Sequence, residues 1–204
     1  FDSTNSKVVI AYRDDGNSGY GTAIVGTVSG TSISFGSHSI FESGYASRIS
    51  STYDSSNQKV VIACCDGGNS DYGTAVVGTV SGTSISFGTP VVFEFANATE
   101  ISATYDSTNN KVVIAYRDND NSSYGTAVVG TVSGTSISFG TPVVFNSGES
   151  SYSSATYDSS NNKVVIAYKD WANSEYGTAV VVATNTLSTN LTAENFIGIS
   201  DGVY

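Results

Sequence analysis

Shifted by 52 residues, this chain lies on itself without a gap. FDSTNSKVVIAYRD (1–14) aligns with YDSSNQKVVIACCD (53–66), YDSTNNKVVIAYRD (105–118) and YDSSNNKVVIAYKD (157–170). The segment YGTAVVGTVSGTSISFGTPVVF occurs at 72–93 and again, letter for letter, at 124–145. A period of this length means that one supersecondary unit is used four times, with each copy burying its apolar face against the next. The copies run over about 1–52, 53–104, 105–156 and 157–204, and the last diverges after Val181.

Within a unit, four short strands are marked off by turn signals. A small, polar strand such as SSTYD or SATYD is followed by KVVIAY, then YGTAVVGTV, then SISFGTPVVF. DSSNNK, RDDGNSG and SGT separate them. Four antiparallel strands in each unit of roughly 40–50 residues predict an all-β protein, a β-propeller of four-stranded blades. A β-solenoid and a row of independent hairpins are the alternatives. Phe1 occupies the slot of Tyr53, so the first unit has no inner strand of its own. ENFIGISDG, near the other end, is expected to supply it and close a ring. The absence of Met, and Phe at position 1, read as a piece excised from a longer chain.

The palette agrees with strands and tight turns: 21 Gly but only 2 Pro in 204 residues, and an abundance of Ser, Thr, Asn, Val and Tyr. No apolar run approaches the ~20 residues of a membrane-spanning helix, so membrane insertion is not expected. A net charge of −10 argues against nucleic acid and anionic membrane surfaces as partners, and suits an extracellular or virion- or cell-surface protein. Cys64 and Cys65 are neighbours in a strand and point to opposite faces, so they read as free thiols.

Comparing the four copies separates two ends of the unit. One end carries the DSSNNK-type turns and VSGTS, which barely change. The other carries DDGNSGY, DGGNSDY, DNDNSSY and DWANSEY, together with the crossings FESGYASRIS, FEFANATEIS and FNSGESSYSS. Charge divides the same way. Four Asp and four Lys cancel at the constant end, whereas the variable end holds twelve acids against four bases. Variable loops on a repeated scaffold are where binding is expected. Trp171, Tyr45, Tyr152 and Phe95, with Arg48, Asp120 and Glu175, form the candidate ligand-binding set, since aromatic rings beside carboxylates and amides suit the two sides of a sugar. The expected partners are glycans or cell-surface glycoconjugates. Self-association and neighbouring domains of a longer chain are further expected partners.

Asp14, Asp66, Asp118 and Asp170 recur in D-x-x-N-S-x-Y-G-T, where their simplest task is to hold the loop. This motif resembles the Asp-box hairpin of sialidases and related propellers, in which the box is an element of the fold rather than of the active site. The resemblance therefore implies a propeller and no catalysis. Asp118, Asp120 and Asn121 resemble half of a Ca²⁺ loop, but the closing Glu is missing, so no cofactor is expected. His38 is the sole histidine, it is read as an exposed strand residue, and no catalytic triad can be assembled around it. Asn97, Asn121 and Asn190 begin glycosylation sequons.

The units NKVVIAYRD…YGTAVVGTVSGTSISFGTPVVF and the closing NLTAENFIGISDG resemble repeats in tail-fibre-like and surface proteins of marine phages and microbes. The resemblance covers essentially the whole chain. It implies a repetitive β-propeller displayed on a particle or cell surface for attachment: a lectin-like binding module, not an enzyme. A structural element of a fibre or coat is the second reading, and a glycan-cleaving enzyme the third.

Overall fold

The computed structural model describes residues 1–184 and, for the backbone alone, 191–198. Fifteen strands form one continuous antiparallel sheet. They are β1 (Val8–Asp14), β2 (Tyr20–Ser29), β3 (Ser32–Phe35), β4 (Ser39–Asp54), β5 (Lys59–Asp66), β6 (Tyr72–Ser81), β7 (Ser84–Phe87), β8 (Val91–Asp106), β9 (Lys111–Asp118), β10 (Tyr124–Ser133), β11 (Ser136–Phe139), β12 (Val143–Asp158), β13 (Lys163–Asp170), β14 (Tyr176–Thr184) and β15 (Leu191–Gly198). The KVVIAY and YGTAVVGTV segments pair as hairpins, as in Val60↔Gly78 through Asp66↔Tyr72.

The crossings between units differ from expectation. FESGYASRIS, FEFANATEIS and FNSGESSYSS are not loops but the middles of the 16-residue strands β4, β8 and β12. The first part of β4 pairs with β2, and its second part pairs with β5. A bulge makes the switch possible. The register jumps between Ser47 and Ser50, and Arg48 takes a left-handed φ of 53°. Glu100 and Tyr152, one and two periods later, do the same at 52° and 55°. The extra residue bends the strand, so the chain passes from one unit to the next without leaving the ladder.

Consecutive units therefore lie face to face. Val9, Ala11, Ala23 and Val25 of the first pack on Val60, Ile62, Cys64 and Val76 of the second. Val61, Ala63 and Val77 on the reverse side pack on Val112, Ile114, Tyr116 and Val128 of the third. Val113, Ala115 and Val129 meet Val164, Ile166, Tyr168 and Val180 of the fourth. The period-2 alternation of a strand thus sends successive apolar residues into successive interfaces, and β5 and β9 are buried on both sides. Cys64 and Cys65 follow the same rule, buried and free in different clusters.

Glycines of the repeated 22-residue segment sit at close contacts within and between units. Gly73 leaves room for the ring of Phe93, which a Cβ at that position would meet at 2.5 Å. Gly88 lies against the next unit, where a Cβ would come within 1.9 Å of the Thr135 carbonyl oxygen. Gly36 stands in the same relation to Thr83.

The sheet is not closed. β1 and β15 end its main path, beside which β3, β7 and β11 each pair with a single strand. β15 pairs with β14 (Thr184↔Leu191 through Thr178↔Gly198), so the segment expected to complete the first unit instead serves as an outer strand of the fourth. Residues 199–204, the remainder of that expected closure, lie outside the described residues. What the first unit retains of an inner strand is the single bridge Asp2↔Lys7, the counterpart of Asp54↔Lys59.

Candidate functional site

Both ends of the unit are built around aspartates, used differently. At the constant end, Asp54 accepts hydrogen bonds from the Ser56 and Asn57 amides, both at 3.0 Å, and from Asn57 Nδ2 at 2.8 Å. Asp2, Asp106 and Asp158 repeat this pattern. Neighbouring turns are tied together by Ser56 Oγ donating to Asn110 Oδ1 and Thr108 Oγ1 donating to Asn162 Oδ1. At the variable end, Asp14, Asp66 and Asp170 each accept one amide, from Gly16, Gly68 and Ala172. Asp118 accepts from the Asn121 amide at 3.1 Å. The Asp-box-like aspartates therefore hold their loops. In the third unit, this task occupies the carboxylate that the sequence places in half a Ca²⁺ loop. No group of three or more His, Cys, Asp or Glu side chains is placed to hold a metal ion among the described residues.

The first three variable-end loops are each bonded to the crossing strand that follows, and the third and fourth also to the crossing strand that precedes. Gly19 O accepts from the Ala46 amide, Asp71 O from the Ala98 amide, and Ser123 O from the Ser150 amide. Asn119 further joins Asn97 by backbone and side chain, and Trp171 Nε1 donates to Ser151 Oγ at 2.9 Å. Loop and bulge thus form one surface per unit.

The seven predicted residues all lie at this variable end, but they do not converge. Trp171 stacks under Lys169, whose Nζ sits 3.7 Å from the ring centroid and also pairs with Glu175 at 2.7 Å. Tyr152 is exposed on its bulge, and its amide donates to Glu100 Oε2 at 2.9 Å. Phe95, also exposed, meets Tyr72 edge to face at 5.8 Å. Asp120 is exposed in the third loop. Trp171 and Glu175 meet around Lys169 in the fourth unit, and Tyr45 and Arg48 come together in the first.

These two residues line an open pocket of about 510 Å³ with Tyr12, Arg13, Ser47 and Ile49. β1 supplies Tyr12 and Arg13, and the bulge of β4 supplies the rest. Arg13 is pinned in place. Its Nε and Nη2 donate to Asp15 at 2.7 and 3.2 Å, and Nη1 donates to the Tyr45 hydroxyl at 2.5 Å. Its guanidinium also lies over the Tyr45 ring, 4.9 Å from the centroid. Tyr12 is held through its hydroxyl by His38 Nδ1 at 2.5 Å. His38 precedes β4 rather than sitting within a strand, and fills the place of Pro90 and Pro142 in the later units. Arg48, in contrast, makes no hydrogen bond or ion pair with any described residue.

The sequence pointed to Tyr45 and Arg48 but not to Tyr12 or Arg13. Both sit inside the VVIAYRD run that reads as scaffold. A signal was present: the slot of Tyr12 and Arg13 holds Cys64 and Cys65 in the second unit, so it is not constant.

Two carboxyls behind this surface are tuned by burial. Desolvation raises Glu42 and Glu94 above the ordinary Glu range, against hydrogen bonds from the Gly44 amide to Glu42 and from the Tyr116 hydroxyl, at 2.6 Å, to Glu94. Burial, then repulsion from Asp66 and Glu42, pushes the Cys64 thiol well above its usual range, which disfavours the reactive thiolate.

Comparison with protein-family models and with curated proteins finds no match to this sequence. No helix among the described residues is long and apolar enough to cross a membrane.

Proposed function

We propose that this protein is a non-enzymatic, lectin-like module that recognises surface glycans through the Tyr12–Arg13–Tyr45–Arg48 pocket. Its repeats are read as blades of a propeller-like array displayed outside the cell or on a particle. The observation that carries the reading is the pocket. Its volume falls within the about 300–1,000 Å³ of small-molecule sites. Its walls pair two aromatic rings with a fixed guanidinium and one that has no described partner. A ring face accepts the apolar side of a sugar, and a planar guanidinium accepts paired oxygens. The carboxylate of an acidic sugar is the group Arg48 is best shaped to hold, because a bidentate, charge-assisted pair needs both shape and opposite charge.

A glycan array probed with and without Ca²⁺ tests this. The expected result is selective binding of sugars bearing a carboxylate, unchanged by Ca²⁺ removal and lost in Arg48→Gly. Glycine suits the φ of 53° at this position, so the variant separates loss of the guanidinium from damage to the bulge. A negative result across a broad array overturns the proposal in favour of a purely structural element.

A further inference from the structure

Each interface inside the stack joins a leading face of one unit to a trailing face of the next. Among the described residues, the two terminal units leave one face of each kind uncovered. On the first unit the face that would meet a preceding unit carries Ile10, Val28 and Ile33, exposed by 39%, 56% and 42%. Their counterparts one period on, Ile62, Val80 and Ile85, are 0%, 8% and 5% exposed, because the first unit covers them. On the fourth unit the opposite face carries Val165, Ala167 and Val181. Val165 and Val181 are half-buried and Ala167 exposed, whereas Val113, Ala115 and Val129 are buried in the third unit.

We infer that these two end faces are complementary, and that the fourth unit of one copy of this chain stacks on the first unit of a second copy. The structure already contains the proposed contact three times, between units of nearly the same sequence. Faces with Val61, Ala63 and Val77 cover faces with Ile114, Val132 and Ile137, so the same residue types at the same spacing meet in the new contact. The interface is head to tail, with two different surfaces, and so propagates into an open chain or closes into a larger ring. It is separate from the glycan reading and does not depend on it. The net charge of −10 opposes association through repulsion between copies, so added salt should strengthen it.

Sedimentation velocity over a range of concentrations provides the test. The wild-type chain should form species of two and more chains, at lower concentration in high salt than in low salt. Ile10→Arg and Ala167→Arg place a charge on an exposed position of either face, and each variant alone should remain a single chain. Mixed together, they should form a one-to-one dimer and nothing larger, because each retains the face the other has lost. A wild-type chain that stays monomeric at every concentration overturns the inference, as does a variant that dimerises by itself. Far-ultraviolet circular dichroism of both variants distinguishes a blocked face from a misfolded unit.

Discussion

Asp54, at the end of β4, and Asp66, at the end of β5, lie at opposite ends of one hairpin, each capping a turn, yet their surroundings have opposite tolerance for change. Asp54 is buried, accepts three hydrogen bonds, and its turn is tied side chain to side chain to the next unit. Asp66 accepts one. Where a turn is cross-braced to its neighbour, nearly every position has a partner to satisfy, and the four copies read alike. Where the aspartate is the one shared anchor, the positions between it and the strand find different partners in different units, as Asp15 does with Arg13, Asn119 with Asn97 and Trp171 with Ser151. This is why Asp15, Gly67, Asn119 and Trp171 can occupy equivalent slots. The variable end is therefore the place where the fold permits a binding surface, and the constant end is where it obtains its rigidity.

Three experiments would break or sharpen that contrast. The largest effect is expected at Gly88, where a methyl group would collide with the Thr135 carbonyl. Gly88→Ala should cost about 3 kcal/mol, at the upper end for overpacking, because the obstruction is backbone rather than a side chain that can turn aside. Urea unfolding measures it, and a loss near zero would show that units can slide apart.

Next come the two caps. Asp54→Ala removes charge-assisted bonds from a buried site and should cost about 2–3 kcal/mol. Asp66→Ala removes one bond to an exposed loop and should cost about 0.5–1 kcal/mol. Equal costs, read from the same unfolding curves, would abolish the distinction between the ends.

The smallest effect is on pH dependence. Burial alone would raise Asp106, but hydrogen bonds from Thr184 and Asn109 outweigh it and hold the carboxyl below the usual 3.8. Asp2 is likewise lowered, against burial, by Asn5. A carboxyl lowered in the folded state contributes stability that is present above pH 3.8 and is lost as pH falls through the folded value. Glu42 and Glu94 at the variable end have the opposite sign. Raised by burial, they subtract stability above their folded values and return it on protonation. Acid should therefore weaken the constant end while relieving the variable end. Asp106→Asn should flatten the loss of stability below pH 4, and Glu94→Gln should raise stability at pH 7 while keeping an acceptor for the Tyr116 hydroxyl. A Glu94→Gln protein less stable than wild type at pH 7 would show that the carboxylate is not strained.

Much of this was legible in the sequence. The gapless period gave the number of units, the hairpin order, and the separation of a constant from a variable end. The doubly apolar VVIAY run announced a strand buried on both sides, as β5 and β9 are. The recurring aspartates read as loop-holding residues and do hold loops. The crossings did not read correctly. A bulge at Arg48, Glu100 or Tyr152 has no fixed residue type, because what defines it is a left-handed φ imposed by two ladders of different register. Those residues look like loop because they vary from copy to copy.

The pocket shows the same division. Tyr45 and Arg48 stood out as variable residues, while Tyr12 and Arg13 were hidden in a strand that is scaffold in every other unit. Sequence alone determined what is periodic: strand order, alternation of faces, the glycines that admit Phe93 and Thr135, and the balance of charge at each end. The tertiary structure alone decided what depends on position in the stack. It determined that β15 pairs with β14, and that Tyr12, Arg13, Tyr45 and Arg48 share a pocket in the first unit. The reason is that a repeated sequence specifies the same contacts for every unit, whereas what a given copy of a surface becomes depends on the residues that other elements bring against it.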